Sequence, residues 1–426
     1  MLKRLKTVRI LPPRVWLLLG VIGPGIITAN ADNDASGIFG YSQAGAAYRY
    51  EMLWVIVLST IALAIAQEIC ARMGAVTGRG LADLIREEYG VKITLFAMVA
   101  LFIANFATTV SEFAGILAAV EIFVRSHMIS RLIILPLVGF GVFWVVTQGT
   151  YRKLEKILLG ASLIYLLYLV DAGLAHPNWG QVFKESILPD LKHIGPVKAY
   201  VFMVINVIGT TITPWGQFYI QSSVRDKGVR AEEYNMVRLD VFFGAFFTNL
   251  IAFAIIVCCG TLLYPNPNLS SAGDAATALG PLVGTFAAAI FAIGLFNASC
   301  FGAITVPLST AYAFTESLGW ESGVGRQIKE APLFIAIFTV LIACSVGVVM
   351  CFPQNLGMLI ILPNIVGGVL LPIILVLMLL LVNKRRIMGK YVNTPFFNIV
   401  AWVTTVVVAL LSIILLLTSV IPGLGA

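Results

Sequence analysis

Two aspartates lie close together in the stretch ITANADNDASGIFG, residues 27–40, which separates two apolar runs. Asp32 and Asp34 are accompanied there by two asparagines, so four side chains within five residues carry oxygen atoms. Carboxylate and carbonyl oxygens are the preferred ligands of hard divalent cations. Alternatively, the aspartates could cap a helix or pair with a structural arginine. No Lys or Arg lies in the neighbouring apolar sequence, so we favour a cation site.

A second polar stretch, GTTITPWGQ, covers residues 209–217 and also interrupts an apolar segment. Pro214 removes a backbone donor and clashes with the preceding turn, while Gly209 and Gly216 loosen the chain on either side. A helix that unwinds here presents backbone carbonyl groups, which need a partner in apolar surroundings. A cation is a natural partner for them.

The candidate ligands at the two stretches are all hard oxygen donors. They comprise the Asp34 carboxylate, with Asp32 as a second candidate, the backbone carbonyls near Ala31 and Thr210, and the hydroxyl of Thr211 or Thr213. Neither stretch offers a thiolate, thioether or imidazole, and Met203 lies more than two turns before Pro214. This donor set predicts a hard divalent cation.

The composition places these stretches in an integral membrane protein. Of the 426 residues, 59% are hydrophobic and 12% are charged, and the mean hydropathy is +0.95. A helical span needs about 20 mostly apolar residues, and about eleven segments qualify. None shows the alternation of a barrel strand, so we predict an all-α bundle of about eleven transmembrane helices. The segments are centred on residues 16–47, 53–75, 93–124, 132–148, 157–175, 197–223, 239–263, 282–315, 333–351, 356–382 and 396–421.

The two interruptions fall near the middle of segments one and six, which begin comparable halves of five segments each. Broken helices in corresponding positions of two halves are the best sequence indication of a transporter site at the middle of the membrane. We therefore predict a cytoplasmic N-terminal segment, 1–15, followed by a single transmembrane transport domain, 16–421. This domain comprises a first repeat at 16–175, a second repeat at 197–382 and an extra helix at 396–421.

The basic residues predict the orientation, because cytoplasmic loops are enriched in Lys and Arg. An N-terminus in the cytoplasm puts most of the 28 Lys and Arg residues on that side. Eleven spans then put the C-terminus outside. We predict a multi-pass protein of the plasma membrane, which in bacteria is the inner membrane, with no obligate protein partner and no nucleic-acid partner. The +7 net charge reflects this topology and contact with anionic lipids.

Several motifs resemble those of the NRAMP divalent-metal transporter family. The most specific is QEICARMGAVTGRGLADLIREEYG at 67–90, accompanied by GPG at 23–25, YSQAG at 41–45, SEFAG at 111–115 and YRKLE at 151–155. The resemblance extends, at lower density, over nearly the whole chain. It implies a LeuT-type fold with two inverted five-helix repeats and broken helices one and six. It also implies a metal site between those two helices, which the carbonyl groups of Ala31 and Thr210 would face.

The sequence departs from the family pattern at both breaks. The family motif Asp-Pro-Gly-Asn falls on residues 34–37, where Asp34 is retained and Gly37 replaces the asparagine ligand. The family motif Met-Pro-His falls on 213–215, where Thr213 replaces the thioether and Trp215 replaces the histidine. Mg²⁺ gains nothing from sulfur and dehydrates reluctantly, so the loss of two direct ligands favours a hydrated ion. The chain thus resembles the NRAMP-related magnesium transporters, and we expect Mn²⁺ to pass as well.

The proton pathway departs in the same direction. In proton-coupled relatives an acidic pair on helix three accompanies the helix-six histidine, and here the pair falls on Thr109 and Glu112. Thr109 and Trp215 do not titrate near neutral pH, so Glu112 has no relay partners. We therefore predict uniport driven by the membrane potential, without obligatory proton coupling. A structural, hydrogen-bonded carboxyl is an alternative role for Glu112.

Asn364 is a further candidate ligand. It lies eight residues before Pro372, where the family places a glutamine on helix ten that reaches the metal in occluded states. Alternatively, Asn364 satisfies a break in the backbone of its own helix after Pro363.

Three other functions fit parts of the sequence. The first is proton-coupled transport of Mn²⁺ or Fe²⁺, which Thr213 and Trp215 disfavour. The second is an intramembrane Mg²⁺-dependent prenyl or phospho transferase, which would need a second Asp-rich cluster and basic residues for phosphate. The third is amino-acid transport on the same fold, in which Asp34 would repel the substrate carboxylate. We predict a transporter with no enzymatic activity and no cofactor, whose divalent ion is its substrate.

Overall fold

The computed structural model describes residues 23–124, 126–148, 150–188, 196–266, 269, 285–326 and 329–420. The predicted N-terminal segment 1–15 lies outside these residues. Within them all regular secondary structure is helical, and ten helices are long and apolar enough to cross a membrane. The predicted all-α membrane bundle is confirmed. The difference from eleven arises at the first segment, whose described part forms two helices that are each shorter than a span.

The main helices are numbered in chain order. The first half of the chain forms α1 (Pro24–Ala31), α2 (Ala35–Tyr48), α3 (Leu53–Thr77), α4 (Leu81–Phe123), α5 (His127–Gln148), α6 (Arg152–Leu174) and α7 (Trp179–Ile187). The second half forms α8 (Val197–Thr211), α9 (Pro214–Asp226), α10 (Tyr234–Leu262), α11 (Thr285–Leu318), α12 (Pro332–Cys351), α13 (Leu356–Val382) and α14 (Pro395–Val420).

Two predicted segments are each divided into a pair of helices. Residues 32–34 separate α1 from α2, and residues 212–213 separate α8 from α9. The second break precedes Pro214, which has no N–H to continue the hydrogen bonds of α8 and is well suited to the first turn of α9. Both predicted interruptions are therefore confirmed as breaks in the helical backbone.

Helix α13 is not broken in the same way. It runs without interruption from Leu356 to Val382 and contains both Pro363 and Pro372. The alternative role for Asn364, which required a break after Pro363, is therefore wrong. The side chain of Asn364 must be explained by contacts with other helices.

Helix α4 changes direction at Gly90, where φ is 76° and ψ is 176°. This conformation lies outside the helical region and is disfavoured for residues that carry a Cβ atom. Gly90 ends the charged stretch IREEY, residues 85–89. The apolar remainder of α4 crosses the membrane and carries Glu112 into the centre of the bundle.

Helix α10 packs against α1 at two glycines. A Cβ atom on Gly25 would lie 2.6 Å from the backbone nitrogen of Val241, and one on Gly244 would lie 2.8 Å from the carbonyl oxygen of Gly25. Both distances are shorter than van der Waals contact, so a side chain at either position would push the helices apart. Small residues allow membrane helices to approach this closely. The contact positions the first half of the broken segment against α10.

Asp240 on α10 caps the N-terminus of α1. Its carboxylate accepts hydrogen bonds from the backbone N–H groups of Gly23 at 3.2 Å, Gly25 at 2.7 Å and Ile26 at 3.4 Å. The first N–H groups of a helix have no partner within the helix, and a negative charge is favourable at that end of the helix dipole. Asp240 therefore fixes the start of the helix that leads to the first break.

We expect Asp240→Ala to destabilise the folded protein by about 1–3 kcal/mol, because three N–H groups lose their acceptor. Asp240→Asn retains a carboxamide oxygen and should lose less stability. Thermal unfolding of the purified protein in detergent measures both changes. Equal stability of the parent and the two variants would show that these bonds do not stabilise α1.

Candidate metal site

Asp34 lies at the first break and caps the N-terminus of α2. Its Oδ1 atom accepts hydrogen bonds from the backbone N–H of Gly37 at 2.7 Å and the hydroxyl of Ser36 at 2.6 Å. Aspartate is favoured at this position because its carboxylate satisfies N–H groups that the helix leaves unpaired. The capping role is therefore present. It does not exclude ion binding, since a carboxylate has about four lone-pair sites.

Asp32 joins the two breaks. Its Oδ1 accepts a hydrogen bond from the hydroxyl of Thr213 at 2.7 Å, and its Oδ2 accepts one from the carboxamide of Gln67 on α3 at 3.0 Å. Both donors are uncharged, so an arginine is not the partner of this carboxylate. Asp32 is 1% exposed. The structure thus places it between α1, α3 and the start of α9.

The backbone carbonyls of Ala31 and Thr210 both lose their helical donor at the breaks. In a continuous helix, the N–H group four residues later would donate to each carbonyl. The N–H of Ala35 donates instead to Oε2 of Glu112 at 3.2 Å, and Pro214 has no N–H. Two carbonyl groups at the expected ligand positions therefore lack the partners that a regular helix would supply.

The three threonines of the second break face different neighbours. Thr213 points towards Asp32, as described above. Thr211 donates to the carbonyl one turn earlier in α8 at 2.7 Å and lies 3.0 Å from the hydroxyl of Tyr41. The hydroxyl of Thr210 is buried and has no hydrogen-bonding partner in the described part of the chain. Thr213 is thus the hydroxyl that faces a carboxylate, and Thr210 carries an unpaired oxygen.

Asn364 reaches the first break from α13. Its Oδ1 lies 2.7 Å from the hydroxyl of Ser36, and its Nδ2 donates to Oδ1 of Asn206 at 2.8 Å. The Ser36 hydroxyl lies equally close to Asp34 and has only one hydrogen to donate. One of the two acceptor oxygens is therefore left for another donor or a cation. Asn364 connects α2 and α8 at the level of the breaks.

A small internal cavity lies between the breaks. Asp34, Thr213 and Asn364 contribute to its lining, and its volume is about 10 Å³, which is room for about one water molecule. A Cβ atom on Gly37 would lie 2.8 Å from the hydroxyl oxygen of Thr210, so a larger side chain would require α2 and α8 to separate. The described conformation is closed around the candidate site.

The residues of the altered proton pathway do not form a continuous relay. Glu112 accepts the N–H of Ala35 through Oε2, and its carboxyl also contacts that of Asp34. Thr109 donates to the carbonyl of Asn105 within α4 at 2.7 Å. The indole N–H of Trp215 is buried and unpaired within the described ranges. Glu112 therefore contacts the first break, and its bond to Ala35 agrees with the structural alternative.

The polar atoms that meet between the two breaks are oxygens and amide nitrogens. The sulfur of Met203 lies 3.7 Å from Nδ2 of Asn206 and contacts that carboxamide. The described residues include no group of three or more His, Cys, Asp and Glu side chains that could hold a metal ion. An ion between the breaks would therefore be coordinated by at most two acidic side chains, together with neutral oxygens and water.

Three polar contacts of the site were not predicted from the sequence. Ser36 bridges Asp34 and Asn364, Asn206 binds Asn364, and Gln67 binds Asp32. A polar side chain within an otherwise apolar membrane helix is expensive and usually faces the bundle interior. Asn206 and Gln67 are polar residues within apolar segments, so this pattern could have identified them from the sequence.

Comparison with known sequences identifies the family. A model of the Nramp family, described as natural resistance-associated macrophage protein-like, matches residues 25–418. The divalent metal cation transporter MntH of Deinococcus radiodurans is 27% identical over 419 residues, which cover 94% of this chain and 90% of that protein. The divalent metal cation transporter MntH of Verminephrobacter eiseniae is 24% identical over 422 residues, which cover 96% of this chain and 92% of that protein.

Solved structures share the architecture. A crystal structure of the Eremococcus coleocola manganese transporter, in complex with an aromatic bis-isothiourea substituted compound, matches with a TM-score of 0.77 and 19% identity, covering 95% of this chain and 87% of that chain. The structure of MhsT with L-phenylalanine matches with a TM-score of 0.61 and 13% identity, covering 95% and 98%. These matches show the fold alone and confirm the expected LeuT-type architecture. Because the family model spans nearly all of the chain, this membrane protein belongs to the Nramp family.

Proposed function

We propose that this protein carries a divalent metal ion across the membrane by alternating access, with partly hydrated Mg²⁺ as its main substrate and Mn²⁺ as a second one. The names of its Nramp relatives support divalent-metal transport. The finer assignment to Mg²⁺, and to the magnesium-transporting branch of the family, rests on the donor atoms between the two breaks.

The observation that carries the proposal is the hydroxyl of Thr213 bonded to Asp32, at the position where the family motif has a thioether. Asp34 supplies negative charge, and the carbonyls of Ala31 and Thr210 lack helical donors. These are oxygen ligands, which suit Mg²⁺. With few direct ligands, the ion would keep several waters, as Mg²⁺ usually does in proteins.

The ion would reach the site through movement of the broken helices. The cavity of about 10 Å³ is too small for a hydrated ion, so α1 and α2 would move relative to α8 and α9 to admit it. Asp34 and Asn364 would contact the ion or its waters, with Asp32 and Thr213 beside them and Gly37 leaving room for water. Thr211 would support the site through Tyr41.

Transport would proceed without obligatory proton coupling. A relay needs titratable groups within hydrogen-bonding distance of one another. Thr109 is bonded to its own helix, and Trp215 does not titrate near neutral pH, so neither would pass on a proton from Glu112. The membrane potential would then drive a doubly charged ion inwards, since each charge gains about 2.3 kcal/mol per 100 mV.

Proteoliposomes test the proposal directly. We expect saturable Mg²⁺ uptake that a negative-inside potential accelerates, competition by Mn²⁺, and no acidification of the lumen beyond that of protein-free vesicles. A Mg²⁺-sensitive dye, a pH dye and a potassium diffusion potential give the three readings. Vesicles that take up Mn²⁺ but not Mg²⁺ would overturn the ion assignment.

Proton-coupled transport of Mn²⁺ or Fe²⁺ is the second candidate, because relatives carry names that specify manganese or divalent metals. Contact of Glu112 with the first break also keeps a titratable group near the ion. This candidate predicts Mn²⁺ uptake that excess Mg²⁺ does not inhibit and that acidifies the lumen. The two candidates thus differ in both ion and pH readings.

The proposed orientation has the N-terminus in the cytoplasm and the C-terminus outside, in the plasma membrane of the cell, which in bacteria is the inner membrane. The asymmetric distribution of Lys and Arg supports it. In this orientation, α9 leads from the candidate site towards the cytoplasm.

A further inference from the structure

The contact between α3 and α9 contains three buried carboxamides with unpaired oxygens. Gln67 on α3, and Gln217 and Gln221 on α9, are each 0% exposed. The Oε1 atom of each has no hydrogen-bonding partner among the described residues. Buried polar atoms are usually paired, and an unpaired buried acceptor is unfavourable. Three of them in one contact therefore require an explanation.

The amide nitrogens of these side chains are already engaged. Gln67 donates to Asp32 at 3.0 Å, Gln217 to the carbonyl of Thr213 at 3.5 Å, and Gln221 to the carbonyl of Arg79 at 3.0 Å. Each carboxamide is therefore held by its N–H group with its oxygen unpaired. If the carboxamide of any of them were turned by 180°, its oxygen would take the place of its N–H group. That oxygen would then face the acceptor oxygen, and the two would repel each other.

Thr213 and the three glutamines form a line of residues that begins at the candidate ion site. Thr213, Gln217 and Gln221 are four residues apart, so they lie on one face of α9. The rise of the helix separates Thr213 from Gln221 by about 12 Å. Asp32 contacts both Thr213 and Gln67. The line therefore runs from the break, along the contact with α3, towards the end of α9.

A buried carboxylate lies near the far end of this line. Glu316 on α11 accepts hydrogen bonds through Oε1 from Ser222 at 2.7 Å and from Arg225 at 2.8 Å. Its Oε2 has no partner among the described residues, although the side chain is buried. An unpaired oxygen on α11 therefore lies beside the last turn of α9, whose Arg225 has a side chain that is 19% exposed.

Helices α3 and α9 are closely packed in this conformation. A Cβ atom on Gly74 would lie 2.7 Å from the backbone oxygen of Gln221, so no ion or water passes between them here. Oxygens that are unpaired in a closed contact become paired if the contact opens and water enters.

We propose that Gln67, Gln217 and Gln221 line the path by which the ion leaves the central site for the cytoplasm, and that their oxygens replace water ligands of the hydrated ion when α3 and α9 separate. The inference rests on the proposed transport function. Neutral carboxamide oxygens suit this role because an ion in transit must bind weakly enough at each position to move on. A line of carboxylates would hold a divalent cation too tightly.

Gln217→Leu tests the path, because it removes an unpaired oxygen while roughly preserving volume. We expect the maximal uptake rate to fall about tenfold or more, and the dissociation constant for the ion in detergent to change less than about twofold. The thermal unfolding temperature should stay equal or rise, because replacing an unpaired acceptor by an apolar group is neutral or stabilising. A merely structural glutamine would instead lower it.

Asn297→Leu is the matched control. Asn297 is a buried carboxamide on α11 that donates to the carbonyl of Ala161 at 3.2 Å and lies outside the line. We expect this variant to lose stability while keeping the uptake rate per folded molecule. Parental uptake by Gln217→Leu overturns the path. So does a loss of uptake accompanied by lower stability or by loss of ion binding.

Access of water provides a second test that does not depend on which ion is carried. A membrane-impermeant maleimide applied from the cytoplasmic side should label Gln221→Cys faster than Ala245→Cys, a fully buried position on α10, after subtraction of the parent's own cysteines. Equal, slow labelling overturns the path. If the parent carries Mn²⁺ and not Mg²⁺, the proposed choice of ion is wrong. The labelling of Gln221→Cys and the uptake of Mn²⁺ by Gln217→Leu still test whether the glutamines line the path.

Discussion

Asp34→Ala should lower Mg²⁺ uptake into proteoliposomes by about 100-fold or more, and ion binding in detergent should become undetectable. Asp34 is an anionic group at the first break, and charge interactions in such buried surroundings are much stronger than in water. A 100-fold loss corresponds to about 3 kcal/mol of binding free energy. This is a modest loss for the removal of an anionic ligand from a divalent cation. Isothermal titration and dye-based uptake measure the two effects.

Asp34→Asn is the control that separates charge from capping. Asparagine caps helices about as well as aspartate, so its side-chain oxygen can still accept the N–H of Gly37 and keep α2 in place. We expect this variant to unfold near the parental temperature and still fail to bind Mg²⁺. Parental uptake by Asp34→Asn would show that the side chain only caps α2, and the proposed site would have to be abandoned.

The fold could be predicted from the sequence because its main determinants are local. The length of the apolar segments specifies membrane helices. Pro214 and the polar residues at 32–34 identify the breaks before any contact is known, since neither stretch can continue a regular membrane helix. Helix α13 shows the limit of that reasoning, because it contains two prolines and remains one helix.

The contacts within the site could not be predicted in the same way. The bond between Asp32 and Thr213 joins residues 181 positions apart, and the bond between Ser36 and Asn364 joins residues 328 positions apart. Such pairs depend on how closely the helices pack, for which Gly37 and the glycines between α1 and α10 are decisive. Asp240 was missed for this reason, since its three acceptor bonds go to a helix more than two hundred residues away.

The close packing of helices at Gly37 affects which ion the site would select. A Cβ atom on Gly37 would meet the hydroxyl of Thr210 and the carbonyl of Asp32 at less than 3 Å, so the asparagine of the family motif would need the breaks to move apart. Glycine at this position therefore lets α2 approach α8 in the closed state. In the proposed open state the same glycine would leave space for waters on the bound ion, so one residue would serve both states.

Thr213→Met should shift selectivity from Mg²⁺ towards Mn²⁺, raising the ratio of Mn²⁺ to Mg²⁺ uptake by about tenfold or more. The thioether offers Mn²⁺ a softer ligand, whereas Mg²⁺ prefers oxygen. The longer side chain would also fill a cavity that has room for about one water molecule, and so would displace water that a hydrated Mg²⁺ ion would retain. Loss of the hydroxyl also removes a hydrogen bond from Asp32. Parallel uptake of the two ions at equal concentration measures the ratio.

Two further substitutions separate the effects of sulfur, volume and hydroxyl. Thr213→Leu fills the cavity without a thioether, so it should reduce uptake of both ions and raise the ratio much less than methionine does. Thr213→Ser keeps the hydroxyl that faces Asp32 and should transport Mg²⁺ nearly as well as the parent. If leucine and methionine gave the same ratio, sulfur would make no contribution, and the preference for Mg²⁺ would have to arise from the carboxylates and from the space around them.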